Sequence, residues 1–121
     1  MEKKSEINWF EIIAADAERA AGFYNDVFGL EIRVQACGTE KMGMFPDCIG
    51  AISEVKGYEP GIGGVIIYFD AGSDMQGILS RIEAAGGSVL LPKTRIEVDG
   101  AGYFALFSDT EGNRLGLHSK N

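Results

Sequence analysis

A repeated order of predicted strands and helices is the feature that most constrains the fold. In residues 7–55 an apolar strand is followed by an amphipathic helix and three further strands. After a glycine-rich linker at 56–63, residues 64–118 repeat this βαβββ order. Each module leaves one sheet face to be covered, so we expect the two to pack together. The length of 121 residues suits a single domain over 1–121, and the fold class is predicted to be α+β.

The first predicted strand, at residues 7–13, is apolar apart from one charge. Its alternation places Trp9, Glu11 and Ile13 on one face and Phe10 and Ile12 on the other. Glu11 is therefore the residue of this strand whose chemistry most needs an explanation.

Helix boundaries are predicted from capping residues. Asp16 is expected to cap the first helix and Gly29 to end it in the left-handed conformation. In the second module, Ser73 and Gln76 have the spacing of a capping box, and Gly86 is expected to stop the helix.

The remaining strands follow from short apolar runs between turn residues. Pro92 is predicted to end the second strand of the second module, because proline cannot donate to a strand ladder. The polar stretch that follows, 93–102, looks long for a plain connection and is expected to border a site. The predicted strands are 30–36, 42–45, 48–55, 65–69, 88–91, 103–107 and 114–118.

Composition and charge limit the kinds of molecule that the protein is expected to bind. The net charge of −7 repels nucleic acid phosphates and anionic lipid headgroups, and it favours neutral or cationic ligands. Cys37 and Cys48 stand in no metal-binding or disulfide pattern. The charged residues 1–6 carry no apolar signal region, and no apolar run reaches membrane-spanning length. We therefore predict a cytoplasmic protein that binds neither nucleic acid nor membranes.

Several motifs within the repeat resemble a known family. They are FYNDVFG at 23–29, the glycine pair at 86–87 and the hairpin DTEGN at 109–113. With them, the chain resembles the vicinal oxygen chelate superfamily, which includes glyoxalases, bleomycin-resistance proteins and dioxygenases. WFEI at 9–12, LPKT at 91–94 and DTEGNRLGLH at 109–118 look most like its small bacterial glyoxalase-related proteins. The resemblance implies two curled sheets that form a cup around a ligand or a divalent metal, and often a homodimer.

The same resemblance argues against the usual metal centre. In metal-using members the ligands are His, Glu or similar residues on the first and last strands of each module. Those positions fall here on Trp9, Gly64 and Gly116, and near Gly50. Because indole and glycine cannot coordinate a metal, no cofactor is expected, although a divalent metal held by other residues stays possible.

Strand parity indicates which polar residues face the cup. Glu11, Tyr68 and His118 share a face with the implied ligand positions, and Trp9 and Tyr68 suit a ligand wall. In an apolar cup, desolvation would favour the neutral form of the Glu11 carboxyl and suit it to proton transfer. The alternative for Glu11 is a structural hydrogen bond, and for His118 a surface role close to the chain end.

Two functions remain open from the sequence. The first is a protein of the glyoxalase and bleomycin-resistance type that binds a small molecule without a metal, with Trp9, Tyr68 and His118 as ligand-binding residues. The second is a lyase, isomerase or epimerase that moves a proton next to a carbonyl. Glu11 would be its catalytic base, and an atypical metal is possible. The sequence does not decide whether the protein is an enzyme.

Overall fold

The computed structural model describes residue 7 and residues 9–121. The residues before Ile7, and Asn8 in the first predicted strand, lie outside the described residues. The elements in chain order are β1 (Phe10–Ile13), α1 (Ala17–Phe28), β2 (Val34–Cys37), β3 (Glu40–Met44), a short 3₁₀ turn (Pro46–Cys48), β4 (Gly50–Glu54), β5 (Tyr68–Asp70), α2 (Met75–Ala84), β6 (Ser88–Arg95), β7 (Tyr103–Ser108) and β8 (Arg114–Ser119).

The strands form two four-stranded sheets, one from each module. Their strand orders are β1-β4-β3-β2 and β5-β8-β7-β6. In each sheet the first strand pairs in parallel with the last, and the other pairs are antiparallel. The predicted α+β class with two βαβββ modules is confirmed.

Caps define both helices, and one of them differs from the prediction. The Asp16 side chain accepts from the Arg19 amide at 3.1 Å, and Gly29 ends α1 at a φ of 66°, as predicted. In α2 the N-cap is Asp74 rather than Ser73, so the predicted capping box is wrong. The Asp74 carboxylate accepts from the amide of Gly77, where a side chain would collide with that carboxylate.

Four strands begin later than predicted, and one of them, predicted at 48–55, begins at Gly50. The first was expected from residue 7, but Ile7 is exposed and pairing starts at Phe10. The strand predicted at 30–36 pairs only from Val34, and the one predicted at 65–69 pairs only from Tyr68. In the first sheet, the partner strand β4 begins at Gly50, opposite Phe10, so the ladder starts there. In the second sheet, the carbonyl of Ile67, just before β5, already accepts from the Gly116 amide at 2.9 Å.

The prediction that Pro92 ends its strand is also wrong. β6 continues from Ser88 to Arg95 through Pro92. It is the outer strand of its sheet, and its pairing with β7 shifts register between Val89 and Leu91 and again between Leu91 and Thr94. A proline is tolerated at an edge or a bulge, where its missing N–H leaves no ladder acceptor unpaired.

The two modules share one hydrophobic core. α1 and α2 pack against each other, and buried residues from both sheets, including Ile12, Ile52 and Leu117, belong to one cluster. α2 contributes an apolar stripe to this core, since Met75, Ile78, Leu79 and Ile82 are all buried. Among the described residues, no helix is long and apolar enough to span a membrane.

A buried hydrogen bond ties α1 to the β7–β8 hairpin. The hydroxyl of Tyr24 donates to Asp109 at 2.8 Å, and both side chains are almost fully buried. Burial raises the pKa of Tyr24 well above its usual value, and the negative charge of Asp109 raises it further. Asp109 also accepts from the amides of Glu111 and Asn113 and from the Asn113 side chain.

The same hairpin holds the start of α1 through Glu111. Its carboxylate accepts from the amides of Ala15 and Asp16 and from two nitrogens of Arg19, at 2.7 and 2.9 Å. Burial alone would raise the pKa of Glu111, but the hydrogen bonds from Arg19, Asp16 and Thr110 outweigh it and lower that pKa.

Candidate functional site

Each sheet has one face packed on the helices and one that is not, which we call its helix-free face. In the second sheet, Phe69 and Leu117 pack into the core, so Tyr68 and His118, one residue away on their strands, lie on the helix-free face. In the first sheet, Ile12 and Ile52 face the core, and Glu11 lies on the helix-free face.

A large cavity lies on the second sheet. Its volume is about 640 Å³, and it is lined by Tyr68, Phe69, Asp70, Ile96, Phe104 and His118. Three neighbouring strands supply the lining: Asp70 pairs with His118 across β5 and β8, and Phe104 pairs with His118 across β7 and β8. A volume of this size suits a drug-sized ligand.

A glycine allows the floor of this cavity to form. Gly116 lies beside Tyr68 in the parallel pair, and a side-chain carbon at Gly116 would overlap the Tyr68 ring. The ring therefore lies directly on the β8 backbone. It remains 47% exposed, so one ring face is available to a ligand.

His118 connects the cavity to the loop at 96–102. Its Nε2 is 2.7 Å from the carbonyl oxygen of Ala101. A carbonyl only accepts, so Nε2 carries the hydrogen, and in the neutral ring Nδ1 is left as an acceptor. The predicted loop at 93–102 does border the cavity, although it begins at Ile96 rather than at residue 93.

Asp70 brings a carboxylate to the same cavity. One of its oxygens, Oδ1, accepts from the Gly72 amide at 2.9 Å and so fixes the side chain. No residue of the chain that the structure describes forms a salt bridge with Asp70. The carboxylate therefore keeps acceptor capacity for a ligand.

Glu11 lies in a different environment. Its Oε1 accepts from the Ser53 hydroxyl at 2.7 Å and its Oε2 from the Trp9 indole at 3.2 Å. Ser53 is fully buried, but the Glu11 side chain is exposed. The desolvation expected from the sequence is thus missing in the single chain, and the geometry matches the structural alternative for Glu11.

A smaller cavity of about 190 Å³ lies beside Glu11, between β1, the linker and the start of β8. Arg114 lines it together with Glu11 and Glu59. The Arg114 Nε is buried and has no hydrogen-bond partner among the described residues. Two carboxylates thus share this small space with one guanidinium.

The structure therefore divides the residues predicted from sequence into two groups. Tyr68 and His118 line the larger cavity, and Trp9 and Glu11 bond to each other elsewhere. Sequence reasoning missed Asp70, although it is two residues beyond Tyr68 on the same face. It also missed Phe104, whose pairing with His118 follows from the predicted β7–β8 hairpin.

The implied metal positions do not fit a metal. Gly50 lies under the Phe10 ring on the helix side of its sheet, so Ala51 takes the corresponding place on the helix-free face. Gly64 precedes β5, and Gly116 is covered by Tyr68. Neither alanine nor glycine offers a ligand atom, and no group of three or more His, Cys, Asp or Glu residues suited to a metal occurs among residues 7 and 9–121.

Comparison with known proteins agrees with this architecture. The sequence model of the Glyoxalase/Bleomycin resistance protein/Dioxygenase superfamily matches residues 6–117. The chain belongs to this superfamily. A glyoxylase-like domain-containing protein of Didymella fabae is 33% identical over 118 residues, which cover 89% of this chain and 88% of that protein.

Solved structures of superfamily proteins share the fold. An enzyme of the superfamily from Burkholderia phytofirmans is 15% identical, with a TM-score of 0.71 over 97% of this chain and 100% of that one. A variant of the fosfomycin resistance protein FosX from Listeria monocytogenes, complexed with Mn(II) and 1S,2S-dihydroxypropylphosphonic acid, is 21% identical, with a TM-score of 0.71 over 97% and 93%. At these identities the likeness shows the fold alone.

Proposed function

We propose that the protein binds a small organic molecule in the 640 Å³ cavity on the helix-free face of the second sheet, without a divalent metal. The observation that carries the proposal is the composition of the cavity wall. Tyr68, Phe104 and Ile96 offer apolar surface, and Asp70 and His118 offer two polar groups held in place by backbone contacts. Such a pairing of apolar wall and few fixed polar groups is typical of ligand sites.

The metal-free part of the proposal depends on donor chemistry. The strand positions at which metal-using relatives place ligands hold an indole, an alanine or glycines in this chain. Asp70 and His118 are the two groups in the cavity wall suited to a metal, and His118 Nε2 is directed at the Ala101 carbonyl. Two donors are fewer than divalent ions usually take from a protein.

A proton-transfer enzyme with Glu11 as base has less support. Both Glu11 oxygens already accept hydrogen bonds, and the carboxylate is exposed. Tyr68 and His118, the other polar residues predicted to face the cup, line the larger cavity rather than the space beside Glu11.

We also propose that the chain forms a homodimer. Trp9 and Met44, on or beside the helix-free face of the first sheet, are 38% and 41% exposed. Apolar surface of this kind is often covered by a partner. Light scattering coupled to size exclusion tests the mass, and a monomer at micromolar concentration would reject the homodimer.

A thermal-shift screen of small molecules in buffer containing a chelator tests the binding proposal. We expect hits whose stabilisation is lost in Tyr68→Ala and kept in the matched variant Trp9→Ala, since both remove one exposed aromatic ring. Stabilisation lost in Trp9→Ala or Glu11→Gln and kept in Tyr68→Ala would reject the placement. Stoichiometric metal in protein purified without chelator would reject the metal-free proposal.

A further inference from the structure

The charges around the larger cavity indicate which class of ligand it takes. Of the six described residues that line it, Asp70 is the one that carries a carboxylate. No lysine or arginine is among them. A carboxylate beside an apolar wall attracts a cation and repels an anion.

The hydrogen bond from His118 to the loop adds to this preference. Because Nε2 is committed to the Ala101 carbonyl, the neutral ring presents only an acceptor, Nδ1, to any further partner. An acceptor suits a ligand that donates, as an ammonium group does. Asp70 Oδ2 is an acceptor as well, since Oδ1 is the oxygen that holds the Gly72 amide.

We infer that the cavity selects a molecule with a protonated amine on an aromatic or aliphatic body. The body packs on Tyr68, Phe104 and Ile96, and the amine donates to Asp70 and His118. This inference rests on the proposed binding function and adds the chemical class of the ligand.

Three probes of similar size and different charge test the inference: 2-phenylethylamine, 2-phenylethanol and phenylacetate. Their dissociation constants are measured at neutral pH by titration followed by NMR. We expect the amine to bind about fivefold tighter than the alcohol, which is typical of a partly exposed charge pair, and the acid to bind weakest. Asp70→Asn keeps an oxygen for the Gly72 amide and should abolish the difference between amine and alcohol.

The outcomes separate the inference from the binding function. Equal binding of the three probes, or tightest binding of the acid, with all affinities reduced by Tyr68→Ala, would overturn the inference and leave the proposed site standing. Binding of all probes that ignores Tyr68→Ala would overturn both.

Discussion

The two modules have the same strand order but use their helix-free faces differently. Aligned through the core residues Ile12 and Phe69, Glu11 of the first module corresponds to Tyr68 of the second. Aligned through Ile52 and Leu117, Ser53 corresponds to His118. In the first module these places hold a hydrogen-bonded pair, and in the second they form the wall of a cavity.

The repeat determines the backbone geometry of both modules, but it does not determine which side chains lie on each helix-free face. Polar groups in the first module satisfy one another, so they have little capacity left for a ligand. In the second, Asp70 and His118 hold backbone groups with one atom and keep another available. β6 is longer than β2, and the loop at 96–102 between β6 and β7 has no counterpart of similar length between β2 and β3.

The substitution with the largest expected effect tests whether the two modules unfold as one cooperative unit. Asp109→Ala removes four hydrogen bonds, one from Tyr24 of α1 and three within the β7–β8 hairpin. We expect a loss of about 3 kcal/mol or more in the free energy of unfolding, because buried groups lose their partners. Urea unfolding followed by circular dichroism and by the fluorescence of Trp9 measures it.

The control is Tyr24→Phe, which removes one of these bonds and should cost about 1 kcal/mol. Both probes should give the same midpoint in every variant. Separate transitions for Trp9 fluorescence and circular dichroism would mean that the modules unfold independently, and the comparison would then concern two units rather than one.

Two matched glycine substitutions sharpen the contrast between a core face and a ligand face. In Gly50→Ala the added methyl group would overlap the ring of Phe10, which packs against the core. This overpacking should lower the free energy of unfolding by about 2 kcal/mol. Gly116→Ala pushes on Tyr68, which is half exposed and has room to turn away. It should cost less stability but weaken ligand binding.

Urea unfolding and calorimetric titration with a screening hit measure the two quantities. If ligand binding were weakened in folded Gly50→Ala and unchanged in Gly116→Ala, the ligand would lie on the first module, which would contradict our account.

A smaller effect is expected from the polar pair of the first module. Ser53→Ala removes the hydroxyl that donates to Glu11 and should cost about 1 kcal/mol, since Glu11 is exposed and is rehydrated by water. Ligand affinity should stay unchanged. A calorimetric titration in which Ser53→Ala abolishes binding would show that this pair belongs to the site.

The smallest effect concerns acid stability. The lowered pKa of Glu111 means that its carboxylate stabilises the fold above the unfolded-state value of about 4.3. This contribution is lost as the pH falls through the lowered folded-state pKa. Glu111→Gln should therefore flatten the dependence of the unfolding free energy on pH below about 4.3. An unchanged slope in urea titrations over this range would contradict the assignment.

Much of the fold was predictable because the signals are local. Asp16 and Gly29 act within one helix, α1, and both predictions are confirmed. Pairing is not local. β6 runs through Pro92 because it lies at the edge of its sheet, and the position of an edge depends on the order of all strands.

The site was predictable only in part, for a related reason. Parity along a strand placed Glu11, Tyr68 and His118 on helix-free faces, as the pairing bears out. It carried no information on how far apart the two sheets hold these side chains. The hydrogen bond from Ser53 to Glu11 joins residues 42 positions apart, and no sequence motif predicts it.

One measurement tests the central claim directly: a titration of ¹⁵N-labelled protein with a screening hit, followed through the backbone amide signals. Our account predicts the largest shifts at residues around Tyr68, Ile96 and His118, and small shifts around Glu11 and Ser53. The reverse distribution, with the largest shifts in β1 and β4, would contradict the claim that the second module holds the ligand.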